Sequence, residues 1–145
     1  MAKSLKLEDQ LCFSLYAAGH AFTRFYQPLL APLGLTYPQY LVLLVLWEED
    51  GLPLKRIGAR LGLDSGTLTP LLRRMEDAAL LTRLRDGADE RMGRVHLTAK
   101  GRRLESKAAA FPEMIGAAAS CSASELTALR KLVFRLRDDL EAAVA

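Results

Sequence analysis

The order of predicted elements between residues 54 and 97 constrains the fold of this chain more than any other feature of the sequence. Apolar spacing predicts a short helix over 54–61, and a tight turn at Leu63-Asp64 separates it from a second helix that Asp64 or Ser65 caps. The apolar side of the second helix contains Leu68, Leu71, Leu72 and Met75. Two short strands, over 80–85 and 94–97, follow directly, and the polar glycine-containing loop between them predicts a hairpin. Helix, turn, helix and hairpin in this order indicate a winged helix-turn-helix.

Pro70 disturbs this pattern. Proline lacks the N–H that a helix interior needs, and its ring clashes with the preceding turn unless it lies in the first turn of the helix. Two interpretations stand at this stage: the second helix begins later, near Thr69, or its start is bent.

A long helix and a core helix are predicted before this segment. The first helix has an apolar stripe at spacings of three and four, formed by Leu7, Leu11, Leu15, Ala18, Phe22, Phe25 and Leu29. A capping box at Thr36 and Gln39 then begins a helix that contains the run from Tyr40 to Trp47. Because that run is apolar on all sides, we expect it to be buried in the core.

Two more helices are predicted after the hairpin. Thr98 caps the first of them, which extends through residue 119 and which Pro112 kinks or breaks. A second capping box, formed by Ser122 and Glu125, begins a last helix. The apolar face of that helix contains Leu126, Leu129, Val133, Leu136 and Leu140.

The predicted fold is therefore a single, mainly α domain with a small β-hairpin. Residues 35–98 form its winged helix-turn-helix part. The apolar stripes of residues 1–34 and 99–145 exceed what so small a unit can cover. We therefore expect these two segments to form a dimer interface from the N- and C-terminal helices.

Composition excludes several classes of protein. Half of the residues are hydrophobic and 26% are charged, which is typical of a globular chain and not of a disordered one. The longest apolar run, from Tyr40 to Trp47, is too short to span a membrane, and the first residues do not resemble a signal peptide. Two cysteines, Cys12 and Cys121, are too few for a disulfide scaffold or a structural zinc site. We expect a cytoplasmic protein with reduced thiols, no metal, no cofactor and no membrane partner.

The charge is unevenly distributed along the chain. Residues 51–107 contain thirteen Lys/Arg and seven Asp/Glu, whereas the rest of the chain carries a net charge of −3. A basic middle segment is typical of a module that binds a polyanion. The simpler interpretation, a solvated charged face, is less favoured because the charges coincide with the helix-turn-helix and hairpin.

Particular residues are candidates for contact with a double-stranded DNA operator. Small polar groups at the start of a recognition helix can reach base edges in the major groove, and an arginine on a hairpin can enter the minor groove. The candidates on the helix are Ser65, Thr67, Thr69, Arg73 and Arg74. Those on the strand and the wing are Arg83, Arg85 and Arg91. A symmetric dimer predicts a near-palindromic operator with half-sites roughly 34–36 Å apart.

Six runs form a recognisable set: Leu11-Cys-Phe-Ser-Leu-Tyr16, Leu35-Thr-Tyr-Pro-Gln-Tyr-Leu-Val42, Leu44-Val-Leu-Trp-Glu48, Leu63-Asp-Ser-Gly-Thr-Leu-Thr-Pro-Leu-Leu72, Asp89-Glu-Arg91 and the Leu-Thr-x-x-Gly run at 97–101. With them, almost the whole chain resembles the MarR family, and within it the organic hydroperoxide resistance regulator (OhrR) group. The Cys12 run and the Tyr-Pro-Gln-Tyr run are the ones that indicate this group.

The resemblance implies a homodimeric repressor that organic hydroperoxides release from its operator. Cys12 matches the peroxide-sensing cysteine, and Tyr26 and Tyr37 match the tyrosines that bond its thiolate from the partner subunit. Arg91 matches the minor-groove arginine, with Asp89 as its brace. Cys121 precedes the last helix, as in the two-cysteine members that form a disulfide between subunits, whereas one-cysteine members use a small thiol.

Alternatives stay open for both cysteines and for the function. The position of Cys12 on a helical stripe also fits a small buried hydrophobe, and Cys121 also fits an incidental surface position. A MarR-type regulator that a small aromatic ligand releases, with Cys12 not redox-active, is the second functional candidate. A thiol peroxidase is the third, but no general acid, cofactor loop or dithiol-reductase motif accompanies the cysteines, so we do not predict an enzyme.

Overall fold

The computed structural model of the protein describes residues 4–84 and 93–145. This part of the chain forms helices α1 (Leu11–Leu30), α2 (Tyr37–Glu48), α3 (Leu54–Leu61), α4 (Ser65–Asp77), α5 (Ala99–Ala108), α6 (Phe111–Ala118) and α7 (Ala123–Val144), and strands β1 (Leu52–Pro53), β2 (Leu81–Leu84) and β3 (Arg94–Leu97). Short 3-10 turns, Leu7–Asp9 and Ala31–Leu33, flank α1. The prediction of a mainly α fold with a small β element is confirmed.

The chain divides into two compact units, one that ends at Ser106 and one that spans Lys107–Ala145. The core of the first unit is built on α2, whose Val42, Leu43 and Leu46 side chains are almost completely buried. The prediction of a buried helix is confirmed for most of this run, but Leu44 is 41% exposed. The second unit contains α6 and α7, and α7 has no buried residue.

The helix boundaries follow the predicted capping residues. Thr36 and Gln39 form the predicted box at the start of α2, with the Gln39 N–H donating to Thr36 Oγ1 and the Thr36 N–H to Gln39 Oε1. Ser122 and Glu125 form the same box at α7. These bonds satisfy N–H groups that have no partner within the helix, which is why both helices begin where the sequence predicts.

The predicted helix over 99–119 is two helices, so the break expected at Pro112 is confirmed. Pro112 occupies the first turn of α6, where its missing N–H has no intrahelical partner to lose. Thr98 caps α5 as predicted, because its Oγ1 accepts a hydrogen bond from the Gly101 N–H at 3.1 Å.

Within the described residues the sheet has three antiparallel strands in the order β1-β3-β2, where the sequence predicted two. β1 was missed because it has only two residues and no alternating pattern. Leu52 and Pro53 pair with Val95 and Arg94 of β3, and the Gly51 N–H donates to the Val95 carbonyl at 3.0 Å. Through this pairing, β1 joins the end of α2 to the hairpin that follows α4.

No single helix within residues 4–84 and 93–145 is long and apolar enough to span a membrane. The segments Leu11–Leu33 and Tyr37–Glu48 reach that length only together, as a pair bent by 74°.

The glycine of the Leu-Thr-x-x-Gly run has a steric role. Gly101 lies against the backbone of Leu80, and a Cβ on Gly101 would overlap the Leu80 carbonyl oxygen. The Gly101 carbonyl accepts a hydrogen bond from Trp47 Nε1 at 2.9 Å. Close contact at this residue therefore joins α2, the start of β2 and α5.

Gly101→Ala should lower the free energy of unfolding by about 1–3 kcal/mol, because the added methyl group must displace backbone. The matched control is Gly19→Ala, at a position of α1 where an added methyl group would meet nothing within 4 Å apart from its chain neighbours and the backbone of its own helix. Alanine there should stabilise the helix by about 1 kcal/mol. Urea unfolding followed by circular dichroism measures both changes. A Gly101→Ala protein as stable as the wild type would contradict the close contact.

Candidate functional site

The turn between α3 and α4 is tight. Gly62 has a φ of 69°, in the left-handed region that glycine adopts without strain, and the Leu63 N–H donates to the Gly58 carbonyl at 2.9 Å. A Cβ on Gly58 would lie 2.8 Å from the Leu63 carbonyl oxygen, so the two segments approach too closely for any larger residue. This geometry confirms the predicted helix-turn-helix.

Asp64, one of the two predicted capping residues, caps α4. Its Oδ1 accepts a hydrogen bond from the Thr67 N–H at 2.8 Å, and this bond holds the pKa of the carboxyl below its usual value. Ser65 is the first residue of the helix and is exposed. Its hydroxyl is therefore not used as the cap.

α4 begins at Ser65 and continues through Pro70, so a start near Thr69 is wrong. The N–H that proline lacks would have bonded to the carbonyl of Gly66, four residues earlier. Gly66 is exposed, so its carbonyl is not stranded in the core.

The two faces of α4 differ in exposure and chemistry. Its predicted apolar side is confirmed, since Leu68, Leu71, Leu72 and Met75 are all buried. Four of the candidate DNA contacts on the helix are exposed and Thr69 is partly buried; the exposed ones are Ser65, Thr67, Arg73 and Arg74. No ion pair holds Arg73 or Arg74 among residues 4–84 and 93–145.

The remaining DNA candidates follow α4 in the chain. Arg83 lies on β2 and forms an ion pair with Glu76 of α4, with 3.4 Å between Arg83 Nη2 and Glu76 Oε1. Glu76 was missed from the sequence because an acidic residue in the last turn of a helix gives no sign of a partner seven residues later. Arg85, Asp89 and Arg91 lie outside the described residues.

An open cavity of about 380 Å³ lies beside the exposed start of α4. It is mostly apolar, with hydroxyl groups and one guanidinium at its edge, and its lining residues are Thr36, Pro38, Leu63, Thr67, Leu71 and Arg74.

Cys12 is the second residue of α1 and is exposed. Gln10 gives this helix no side-chain cap, and no acidic residue lies in its first turn. Two acidic residues, Glu8 and Asp9, lie in the turn that precedes Gln10. The interpretation of Cys12 as a buried hydrophobe is wrong for the single chain.

Tyr26 and Tyr37 lie together, and Tyr40 joins them. The ring centroids of Tyr26 and Tyr37 are 5.3 Å apart, and those of Tyr26 and Tyr40 are 5.1 Å apart. We call these three residues the tyrosine cluster. From the sequence, Tyr40 was expected only to pack in the core; its spacing from Tyr37, one helical turn along α2, was the available signal.

Burial, and then the proximity of Tyr26, raises the pKa of Tyr37. Burial also raises the pKa of Tyr40, and a side-chain hydrogen bond with Tyr26 adds to that effect.

Within one chain, the thiol and the tyrosine cluster are far apart. Cys12 and Tyr26 are fourteen residues apart on the same helix. At about 1.5 Å per residue this is roughly 21 Å along the helix axis. No phenol of the cluster can therefore reach the Cys12 sulfur of its own chain.

Cys121 lies in the second unit, in the loop just before the Ser122 cap of α7, and is exposed. No group of three or more His, Cys, Asp or Glu residues with the arrangement of a metal site occurs in the described part of the chain.

Comparison with known proteins establishes the family. The family model described as transcriptional regulator SarA/Rot matches residues 24–107. The organic hydroperoxide resistance transcriptional regulator of Bacillus subtilis is 46% identical over 136 residues, which cover 94% of this chain and 92% of that protein. This chain belongs to the MarR family of transcriptional regulators. The HTH-type transcriptional regulator TtmR of Methylorubrum extorquens is 53% identical over 136 residues, which cover 94% of this chain and 70% of that protein.

A solved structure of reduced AbfR bound to DNA superimposes on this MarR-family chain with a TM-score of 0.82 and 37% identity, over 96% of this chain and 95% of AbfR. AbfR, which comes from Staphylococcus epidermidis, has also been solved overoxidised on DNA and in a disulfide form. The chain is accordingly a DNA-binding transcriptional regulator with a winged-helix fold, and its relatives are regulators and not enzymes.

Arg73→Gln should weaken DNA binding, because Arg73 is on the exposed face of α4 and has no competing ion pair within the described residues. A duplex selected by the wild-type protein from a random-sequence pool serves as the probe. The slope of log K against log salt should fall by about one for each subunit, the expected effect of one lost phosphate contact. Arg103→Gln makes the same charge change on α5 and should leave the slope unaltered. An unchanged slope for Arg73→Gln would remove Arg73 from the interface.

Proposed function

We propose that this MarR-family regulator is a homodimeric repressor that organic hydroperoxides release from a near-palindromic operator by oxidising Cys12. The observation that carries the proposal is the placement of Cys12 at the start of α1 and of Tyr26 towards its end, where Tyr37 and Tyr40 of α2 pack against Tyr26. An antiparallel arrangement of two such helices would bring the Cys12 of each subunit to the phenols of the other. The identity to the Bacillus subtilis regulator supports the hydroperoxide signal.

The tyrosine cluster supplies the groups that a thiolate sensor needs. Tyr26 and Tyr37 would donate hydrogen bonds to the partner's Cys12, and charge-assisted bonds of this kind favour the anion. Tyr40 packs against Tyr26, with 5.1 Å between the ring centroids, and helps to hold it in place. Apolar side chains close to Cys12 on α1, those of Leu11 and Leu15, favour a peroxide with an alkyl tail over hydrogen peroxide.

Atoms and electrons balance in each redox step. The Cys12 thiolate attacks one peroxide oxygen, the O–O bond breaks, and the alkoxide takes up a proton and leaves as the alcohol. Cys12 has then lost two electrons and is a sulfenic acid. The thiolate of Cys121 from the other subunit attacks the Cys12 sulfur, and the hydroxide that leaves becomes water on protonation. The product is a disulfide between subunits.

Exposed apolar side chains support dimerisation through residues 1–34 and 99–145. On α1 they include Leu11, at 61% exposure, and Phe22, at 42%; on α7 they include Leu129, Leu132, Phe134 and Leu140. A monomer would leave these surfaces in water. Two-fold pairing would place two α4 helices in successive major grooves.

On the operator, we assign base contacts to Ser65, Thr67 and Thr69, and phosphate contacts to Arg73 and Arg74. Arg91, braced by Asp89, would enter the minor groove, and Arg85 would contact the backbone nearby. A thiol sensor must be reduced before the signal arrives, which favours a cytoplasmic location.

The cavity beside α4 supports a second candidate function. Its apolar walls and the Arg74 guanidinium suit a small aromatic carboxylate, and an occupant there would lie against Thr67 on the DNA-facing side of the helix. In this alternative a small aromatic ligand releases the repressor, and Cys12 is not redox-active.

Cys12→Ser should abolish the response to oxidant and leave the affinity of the reduced protein for DNA unchanged, because serine cannot form a sulfenic acid. Fluorescence anisotropy of the selected duplex, before and after one equivalent of cumene hydroperoxide, measures both properties. Wild-type protein that stays bound after oxidant would reject hydroperoxide sensing and favour the aromatic ligand. A Cys12→Ser protein that is released normally would move the sensor elsewhere.

Cys121→Ser should prevent the covalent dimer that we expect for oxidised wild-type protein on a non-reducing gel. The variant still forms the Cys12 sulfenic acid, which a sulfenic-acid probe such as dimedone detects by mass. An oxidised wild-type monomer that gains the mass of an added small thiol would show that Cys121 is not the resolving cysteine.

A further inference from the structure

Arg83 differs from the other candidate DNA contacts within the described residues in having a carboxylate partner. Both oxygens of Glu76 bind it: the Arg83 backbone N–H donates to Oε2 at 3.2 Å, and the guanidinium donates to Oε1 at 3.4 Å. The Arg83 side chain is only 28% exposed. Glu76 lies in the last turn of α4, and Arg83 is the third residue of β2. The pair therefore joins the recognition helix directly to the sheet.

The connection between these two elements is fixed by a sharp turn. Ala79 has a φ of 60°, and the Leu80 N–H donates to the Met75 carbonyl at 3.0 Å, which folds the chain back at the end of α4. Thr98 Oγ1 donates to the Ala79 carbonyl at 2.7 Å and so holds the turn from the other side. β2 consequently starts beside the last turn of α4, within reach of Glu76.

An arginine held in this way is poorly placed to bind a phosphate. Its charge is already compensated by Glu76, and a phosphate would have to displace a carboxylate that also holds the backbone of β2. Arg73 and Arg74, without an ion pair in the described part of the chain, have no such competitor.

We propose that Arg83 is a positioning residue for DNA binding, which acts through Glu76 by fixing β2 at a set orientation to α4. Because Arg83 lies opposite Val95 in the antiparallel register, the pair orients β3 as well. The inference rests on DNA binding by this regulator, which its family establishes, and it removes Arg83 from the DNA contacts expected from the sequence.

The test compares Arg83→Gln, Glu76→Gln and the double variant with the wild type on the duplex selected from a random-sequence pool. A positioning role predicts that each single variant binds several-fold more weakly, with an unchanged salt slope. The double variant should bind no more weakly than the weaker single variant, because both changes break the same link. Arg73→Gln, with its expected loss of about one in slope per subunit, is the reference for a true contact.

Opposite results would overturn the inference. If Arg83 binds phosphate, Arg83→Gln lowers the salt slope as Arg73→Gln does, and Glu76→Gln binds at least as tightly as the wild type because a competitor is gone. Unchanged affinity in both single variants would also overturn it.

A failure of the proposed DNA interface can be told apart from a failure of this inference, because in that case Arg73→Gln would have no effect on DNA binding. Thermal unfolding without DNA checks each fold, and Glu76→Gln reports on the same link if Arg83→Gln does not fold.

Discussion

The close packing of Gly101 against Leu80, together with the Trp47 hydrogen bond to the Gly101 carbonyl, determines how the first unit is assembled. It joins the end of the buried helix α2 to the helix that follows the sheet and to the strand that follows α4. Asp50 strengthens the same junction, since its carboxylate accepts the Leu97 N–H and binds Arg102. These contacts place α2 in fixed relation to the sheet, and a larger residue at position 101 would separate them.

α2 therefore has two functions in one rigid element. Its first residues, Tyr37 and Tyr40, belong to the tyrosine cluster, and its last turn is held to the sheet that carries the wing. In the proposed mechanism, oxidation of the partner's Cys12 removes the anion that Tyr26 and Tyr37 stabilise. Tyr37 is the first residue of α2, so a change in its position acts directly on a helix of the winged helix-turn-helix part, and no separate transmitting element is needed within the first unit.

Features that depend on local chemistry were predictable from the sequence. The capping boxes at Thr36 and Ser122, the break near Pro112 and the apolar side of α4 all follow from interactions between residues within a few positions. Features that depend on distant pairing were not: β1 exists only because Leu52 and Pro53 meet β3 more than forty residues later. Pro70 was ambiguous because its cost depends on the exposure of Gly66, and the partner of Arg83 depends on the turn at Ala79.

The candidate site shows the same division. Cys12, Tyr26 and Tyr37 were identified from runs of sequence, whereas the role of Tyr40 required the distances between rings. The family resemblance supplied residue types at each position, but the ion pair of Arg83 is a property of how two elements meet in this chain. Contacts of that kind show whether a side chain is available to bind a ligand or instead holds a neighbouring element in place.

The separation of sulfur and phenols along α1 has a consequence for when the regulator becomes responsive. A newly synthesised subunit has the thiol but lacks the donors that would hold its anion, so in the proposed scheme it is largely inert towards oxidants until it meets a second copy. Responsiveness would then arise at the moment of assembly and would decline on dilution below the dissociation constant of the pair. Peroxide would thus leave unoxidised the thiols of chains that are not yet able to occupy an operator.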